Sequence, residues 1–165
     1  MGGMDKKKRR KGIIGAVAAA VAATAAVGSV ATKPDSVWYR TRRKPWFQPP
    51  AWVFPVAWTA LYIDIAAVAG QSLADLDEKN KNEQRNSLAT ALGVNLALNA
   101  GWCALFFRSK SPAAATAGAA ALAASSADLT RRTMDVDKKR GQWLIPYPVW
   151  CGFATLLSAA IWRKN

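Results

Sequence analysis

The sequence predicts an all-α integral membrane protein, a bundle of five transmembrane helices. Three observations carry the prediction. First, mean hydropathy is 0.00, yet the 33 charged residues are bunched. Runs free of Asp, Glu, Lys and Arg cover 12–32, 45–63, 86–107, 111–127 and 141–162, which is 21, 19, 22, 17 and 22 residues. A spanning helix needs about 20 mostly apolar residues, within a range of about 17–25. Second, the Lys and Arg of a chain with net charge +13 sit at the segment ends, where membrane topology places them. A nucleic-acid partner is not expected, because such a partner calls for a basic face on a soluble fold. Third, there is no His, and the two Cys, Cys103 and Cys151, each lie inside an apolar run without CxxC spacing. The commonest general base and metal ligand is therefore missing, and no metal site is expected.

Residues 1–11 form a basic arm with six positive charges. The first helix is expected over 12–31. Arm and run together also read as a secretory signal peptide, with Ser29-Val30-Ala31 as a cleavage-like end. The 20-residue run exceeds the usual h-region of about 7–15 residues, which favours a retained helix. The loop 32–51 mixes Trp38, Tyr39, Trp46 and Phe47 with Lys and Arg, the composition of a membrane–water interface. Pro49-Pro50 suits a helix start, and the second helix is expected over 51–74, interrupted by Asp64. Residues 75–86 are a solvated loop. The third helix is expected over 87–107, and Arg108-Ser109-Lys110 is a basic turn. The fourth, over 111–129, is nearly all Ala, Ser, Gly and Thr, so it should pack among other helices rather than face lipid alone. The fifth is expected over 143–162. Segments on the N-terminal side hold 14 Lys and Arg against 9 on the other side, which points to the N-terminus inside.

Helical geometry separates faces. At about 100° per residue, Ala89, Gly93, Ala97 and Gly101 share one face of the third helix. Asn95, Asn99, Trp102 and Phe106 share the opposite face. Lipid rejects an unpartnered Asn, so the amide–aromatic face should look inward. The ladder of small residues then lets another helix approach closely, either a second copy or a helix of the same chain. In the fifth helix Trp143, Tyr147, Trp150, Ala154 and Leu157 fall within an arc of about 80°. In the second, Pro55, Trp58 and Tyr62 fall within about 60°. An aromatic stripe alone is most simply core packing; stripes converging from three helices make an apolar cavity with a few polar groups, the usual form of a ligand site. Asp64 lies about 120–160° from the Trp58–Tyr62 face and should not line that cavity. An intramembrane carboxylate is functional by default, but near a helix end a structural reading is preferred.

Three groups of residues occur in order. The first is Trp38-Tyr39, Lys44-Pro45, Pro49-Pro50, Trp52, Trp58 and Leu61-Tyr62. The second is Leu98-Asn99, Trp102 and Phe106-Phe107. The third is Pro146-Tyr147, Trp150, Phe153-Ala154-Thr155, Leu157 and Trp162-Arg163. From about residue 12 to 165, this pattern resembles the TspO/MBR family of tryptophan-rich sensory proteins and translocator proteins. The resemblance implies five helices around a ligand cavity, in a bacterial cell membrane or, in a eukaryote, the mitochondrial outer membrane. It implies no obligatory cofactor and, as ligand, a tetrapyrrole such as protoporphyrin IX or haem. Phe54, Pro55, Trp58, Asn99, Trp102, Trp150, Ala154 and Leu157 would contact it, with Tyr62, Phe106 and Tyr147 completing the lining. It also implies a homodimer through Ala89, Gly93, Ala97 and Gly101. Family roles are transport, sensing or regulation of tetrapyrrole metabolism, light-dependent porphyrin breakdown at the positions of Trp58 and Trp150, and regulation of a partner. A binding protein rather than an enzyme is the preferred reading. Without His an iron porphyrin cannot be held by imidazole, so binding would rest on stacking and burial, with Arg40, Arg42, Arg43 and Lys44 at the mouth for the propionates. The chain departs from relatives in the stretch Leu157–Arg163, where alanine replaces the tyrosine of a sterol motif, which puts sterol recognition in doubt. Ala100, Ala114 and Gly118 stand where relatives carry larger or polar residues.

Overall fold

The structure, a computed structural model, describes the backbone of residues 2–31, 53–107 and 111–164. The interfacial aromatic residues of the first loop and Arg40, Arg42, Arg43 and Lys44 lie outside the described residues. So do the side chains of Phe54 and Phe106. The fold is all-helical: α1 Gly2–Ala31, α2 Val53–Glu78, α3 Asn82–Phe107, α4 Pro112–Val136, the short α5 Lys138–Gln142, and α6 Pro146–Lys164. Three stretches are long and apolar enough to cross a membrane by length and composition: Asp5–Val27, Pro55–Glu78 and Lys138–Lys164.

The helices outrun the apolar segments where polar residues find partners. The basic arm is helical from Gly2, continuous with the apolar run. Lys, Arg and Met are good helix formers, and Arg9 and Arg10 are held by Asp77 and Asp75 of α2 at 2.9 and 2.8 Å. α4 starts where Ser111 accepts a hydrogen bond from the Ala114 amide and Pro112 stands in the first turn. It continues past residue 129 because Asp128 pairs with Arg131 and Arg132. Asp137 ends α4 and caps α5, its carboxylate accepting from the Arg140 amide. Asn80, at φ 59°, makes the left-handed turn between α2 and α3. Trp143 precedes α6 rather than lying on it and is 73% exposed. The aromatic stripe expected for the fifth helix therefore begins at Tyr147.

α1 packs on α2 and α3, α4 packs on α3 and α6, and α2 touches α3 and α4. Aromatic rings of α2 meet those of α6, which closes the ring. α4 serves as a close-packing helix: Ala115, Ala119, Leu122, Ser126 and Leu129 form one buried stripe, and small side chains let neighbouring backbones approach. Asn95, Asn99 and Trp102 of α3 are buried, as the period of 3.6 requires. Ala89, Gly93, Ala97 and Gly101 are all exposed. Among the described residues no helix covers the ladder, and a Cβ added at Gly93 or Gly101 would meet nothing within 4 Å.

Candidate functional site: an aromatic centre on a buried polar chain

Trp58 sits at the centre of an aromatic cluster drawn from three helices. Its ring centroid lies 5.6 Å from Tyr62 on α2 and 6.2 Å from Trp102 on α3. It lies 6.3 Å from Tyr147 and 6.4 Å from Trp150 on α6, both edge-on. Phe153 extends the cluster beyond Trp150 at 5.5 Å. These separations fall within the range of about 4.5–7 Å in which ring pairs attract. Ala154 and Leu157 are buried one and two turns further along the same face of α6.

Beneath the rings runs a chain of hydrogen bonds. The Tyr62 hydroxyl donates to Asn99 Oδ1 at 2.8 Å, and Asn99 Nδ2 donates to the Tyr147 oxygen at 3.0 Å. The Tyr147 hydroxyl donates to Asn95 Oδ1 at 2.7 Å. Asn95 Nδ2 donates to Ser125 and Ser126 Oγ, both at 3.2 Å, and Ser126 donates onward to the Leu122 carbonyl at 2.7 Å. The donors all point one way, from α2 through α3 and α6 to α4, so each bond polarises the next. Trp102 Nε1 donates to the Ala115 carbonyl at 3.1 Å and ties the cluster to α4. Tyr147, Asn95 and Asn99 are each 0% exposed. A buried amide costs free energy unless its hydrogen bonds are made, and here both amides are bonded on both sides.

The structure thus brings together Trp58, Tyr62, Asn99, Trp102, Tyr147 and Trp150, with Ala154 and Leu157 adjacent in the same core. Pro55 is exposed in the first turn of α2. Asp64 is half-buried on α2 and takes no part in the rings or the chain. Sequence reasoning put Asn95 on the inward face without a role and passed over Ser125 and Ser126. Two adjacent serines in an alanine-rich helix were the available signal. Among the described residues no group of His, Cys, Asp or Glu is placed to hold a metal. Cys151 is buried with its sulfur 3.6 Å from Ser126 Oγ.

The rings around Trp58 pack on one another; an open groove of about 500 Å³ lies elsewhere, between α3 and α4, and is lined by Asn86, Ser87, Thr90, Ala91, Val94, Ser125, Asp128 and Arg132. It carries an ion pair but no aromatic ring. The Trp58 cluster is the better candidate for a flat apolar ligand, because its rings offer stacking faces.

Comparisons with known proteins match the chain over most of its length. The TspO/MBR family model matches residues 16–163. The tryptophan-rich sensory protein of Cereibacter sphaeroides is 33% identical over 133 residues, 81% of this chain and 79% of that protein. The tryptophan-rich protein TspO of Chlorobaculum tepidum is 33% identical over 139 residues, 84% and 86% of the two chains. The translocator protein of Bos taurus is 27% identical over 131 residues, covering 78% and 75%. A five-helix membrane bundle with a tryptophan-rich centre, matched over nearly its whole length, makes this chain a member of the TspO/MBR family.

Proposed function

We propose that this protein binds a tetrapyrrole, a porphyrin or haem, at the Trp58 cluster between α2, α3 and α6, and serves transport or sensing in tetrapyrrole metabolism. The observation that carries the reading is the position of Trp58, in ring contact with Tyr62, Trp102, Tyr147 and Trp150 across three helices. A flat macrocycle inserted among these rings exchanges ring–ring contacts for ring–macrocycle contacts of the same kind. Tyr62, Asn99 and Tyr147 supply the few polar groups that fix orientation in such sites. The names of the relatives, sensory protein and translocator protein, fit a binding role. With no His in the chain, stacking and burial hold the ligand rather than an imidazole–iron bond.

The test is a titration of detergent-purified protein with protoporphyrin IX in the dark, followed by illumination. Saturable binding that weakens in Trp58→Leu and Trp150→Leu supports the site. Pigment recovered intact after illumination supports a binder, whereas protein-dependent breakdown favours an enzyme using Trp58 and Trp150. Absence of saturable binding overturns the tetrapyrrole reading.

We also infer a homodimer through the exposed ladder Ala89, Gly93, Ala97 and Gly101 of α3. Gly93→Leu removes the close approach and should shift the protein to monomer in cross-linking and size-exclusion measurements. An unchanged oligomeric state contradicts this assignment.

A further inference from the structure

At the end of the bundle where α1 begins and α4 gives way to α5, arginine and lysine have different duties. Six arginines there, Arg9, Arg10, Arg85, Arg131, Arg132 and Arg140, each hold a carboxylate. No lysine among the described residues makes an ion pair or a side-chain hydrogen bond, and those of this end are all exposed. The division follows chemistry. The planar guanidinium fork matches a fixed carboxylate, while the compact, strongly hydrated ammonium suits a partner that moves.

The lysines also stand at a defined depth. Ile14 of α1 lies against Gly70 of α2, and Arg10 donates to Asp75, the first charge after the apolar stretch of α2. The bilayer boundary therefore falls near Lys11. At about 1.5 Å per residue, Lys8 and Lys7 stand about 4.5 and 6 Å further out, within a headgroup layer about 5–7 Å thick on each side. Lys7, Lys8 and Lys11 share an arc of about 100°, roughly opposite the side on which Arg9 and Arg10 grip α2. They face outward from the bundle. A second group is drawn up beside them: Asp75 accepts from both Arg10 at 2.8 Å and Arg140 at 2.6 Å, which holds α5, with exposed Lys138 and Lys139, next to the start of α1. Asp5 and Glu83 are exposed acids of the same end. The balance is still fourteen basic against eight acidic residues.

We propose that Lys7, Lys8 and Lys11 of α1, with Lys138 and Lys139 of α5, form a collar that binds the phosphodiester headgroups of anionic phospholipids. Polybasic segments next to a spanning helix attract anionic lipid; here the ion pairs fix that segment as a rigid helix at headgroup depth. The arrangement is independent of any ligand at the Trp58 cluster.

The experiment is native mass spectrometry of the full-length protein in detergent, offered phosphatidylglycerol and phosphatidylcholine in equal amounts. Retention of phosphatidylglycerol should exceed that of phosphatidylcholine about fivefold or more and fall as salt is raised. The triple variant Lys7→Gln, Lys8→Gln, Lys11→Gln should lose most of the preference and Lys138→Gln with Lys139→Gln a part of it. Lys164→Gln, at the far end of α6, should leave it intact. Each lysine is unpaired, so helicity and melting temperature should stay at wild-type values; should the triple variant misfold, the α5 double variant carries the test. Equal retention of the two lipids, or a preference unchanged in the variants, overturns the proposal. So does a triple variant that loses heparin binding yet keeps its lipid preference, since the collar would then belong to a soluble polyanion.

Discussion

The centre of this bundle and its charged end solve one problem with opposite means. Both must join helices distant in sequence through polar side chains. The centre uses neutral groups only: two tyrosines, two asparagines and two serines, bonded in a directed chain. The end uses ions: Asp75 between Arg10 and Arg140, and Asp77 between Arg9 and Arg85. The difference follows the solvent. In hydrocarbon an ion pays a heavy desolvation cost that a hydrogen-bonded amide avoids. At the membrane surface water reaches most of these ions, Asp77 at 7% exposure excepted, so an exposed pair costs little to form and contributes little. The centre should therefore be stiff and insensitive to salt, and the end adjustable.

The sharpest break of that contrast is Tyr147→Phe. It leaves Asn95 Oδ1 and one Asn99 donor without partners in a site with no exposure. The expected loss is about 1–3 kcal/mol of stability, read as a lower melting temperature that is the same at low and high salt. Next is Gly141→Ala. A Cβ at Gly141 would run into the Met134 backbone, so α5 must shift against α4, at a cost of about 1–3 kcal/mol. This steric loss belongs to the charged end yet should also ignore salt, which separates packing from charge there. Asp75→Asn comes third. It weakens two bridges at side chains about one-fifth to one-third exposed, and should cost about 0.5–1 kcal/mol at low salt, shrinking toward zero in about 1 M salt. Salt independence of Asp75→Asn, or salt dependence of Tyr147→Phe, would reverse the contrast. The smallest effect belongs to Arg131→Ala, whose pairs with Asp128 and Asp135 are largely exposed; its melting curve should overlay the wild type.

The two regions also differ in how far the sequence disclosed them. α3 was legible because a single period settles it: Asn95, Asn99 and Trp102 repeat at helical spacing opposite Ala89, Gly93 and Ala97, and a membrane enforces the choice of face. Trp58, Tyr62, Tyr147 and Trp150 were legible as stripes. That Trp58 is the hub was not, because ring contacts depend on how α2 and α6 cross. The route from Tyr147 through Asn95 to Ser125 and Ser126 joins residues up to 52 positions apart, and no local pattern marks it. The charged end was the least legible. Residues 1–11 carry no apolar period, so nothing in them announced a helix. Their order comes from Asp75 and Asp77, 65 and 68 positions away. The expected place of Trp143 on the last helix failed for a local reason: α5 and a turn intervene, and α6 begins at Pro146, a favoured first residue.

The measurement that bears most directly on the account is the protoporphyrin IX dissociation constant, read from the pigment's own absorbance, in wild type, Trp58→Leu and Asp75→Asn. A hub residue of a binding site should cost about tenfold or more in affinity. That loss is expected in Trp58→Leu and none in Asp75→Asn. Equal affinities in all three, or equal losses in both variants, would contradict the assignment of the Trp58 cluster as the ligand site.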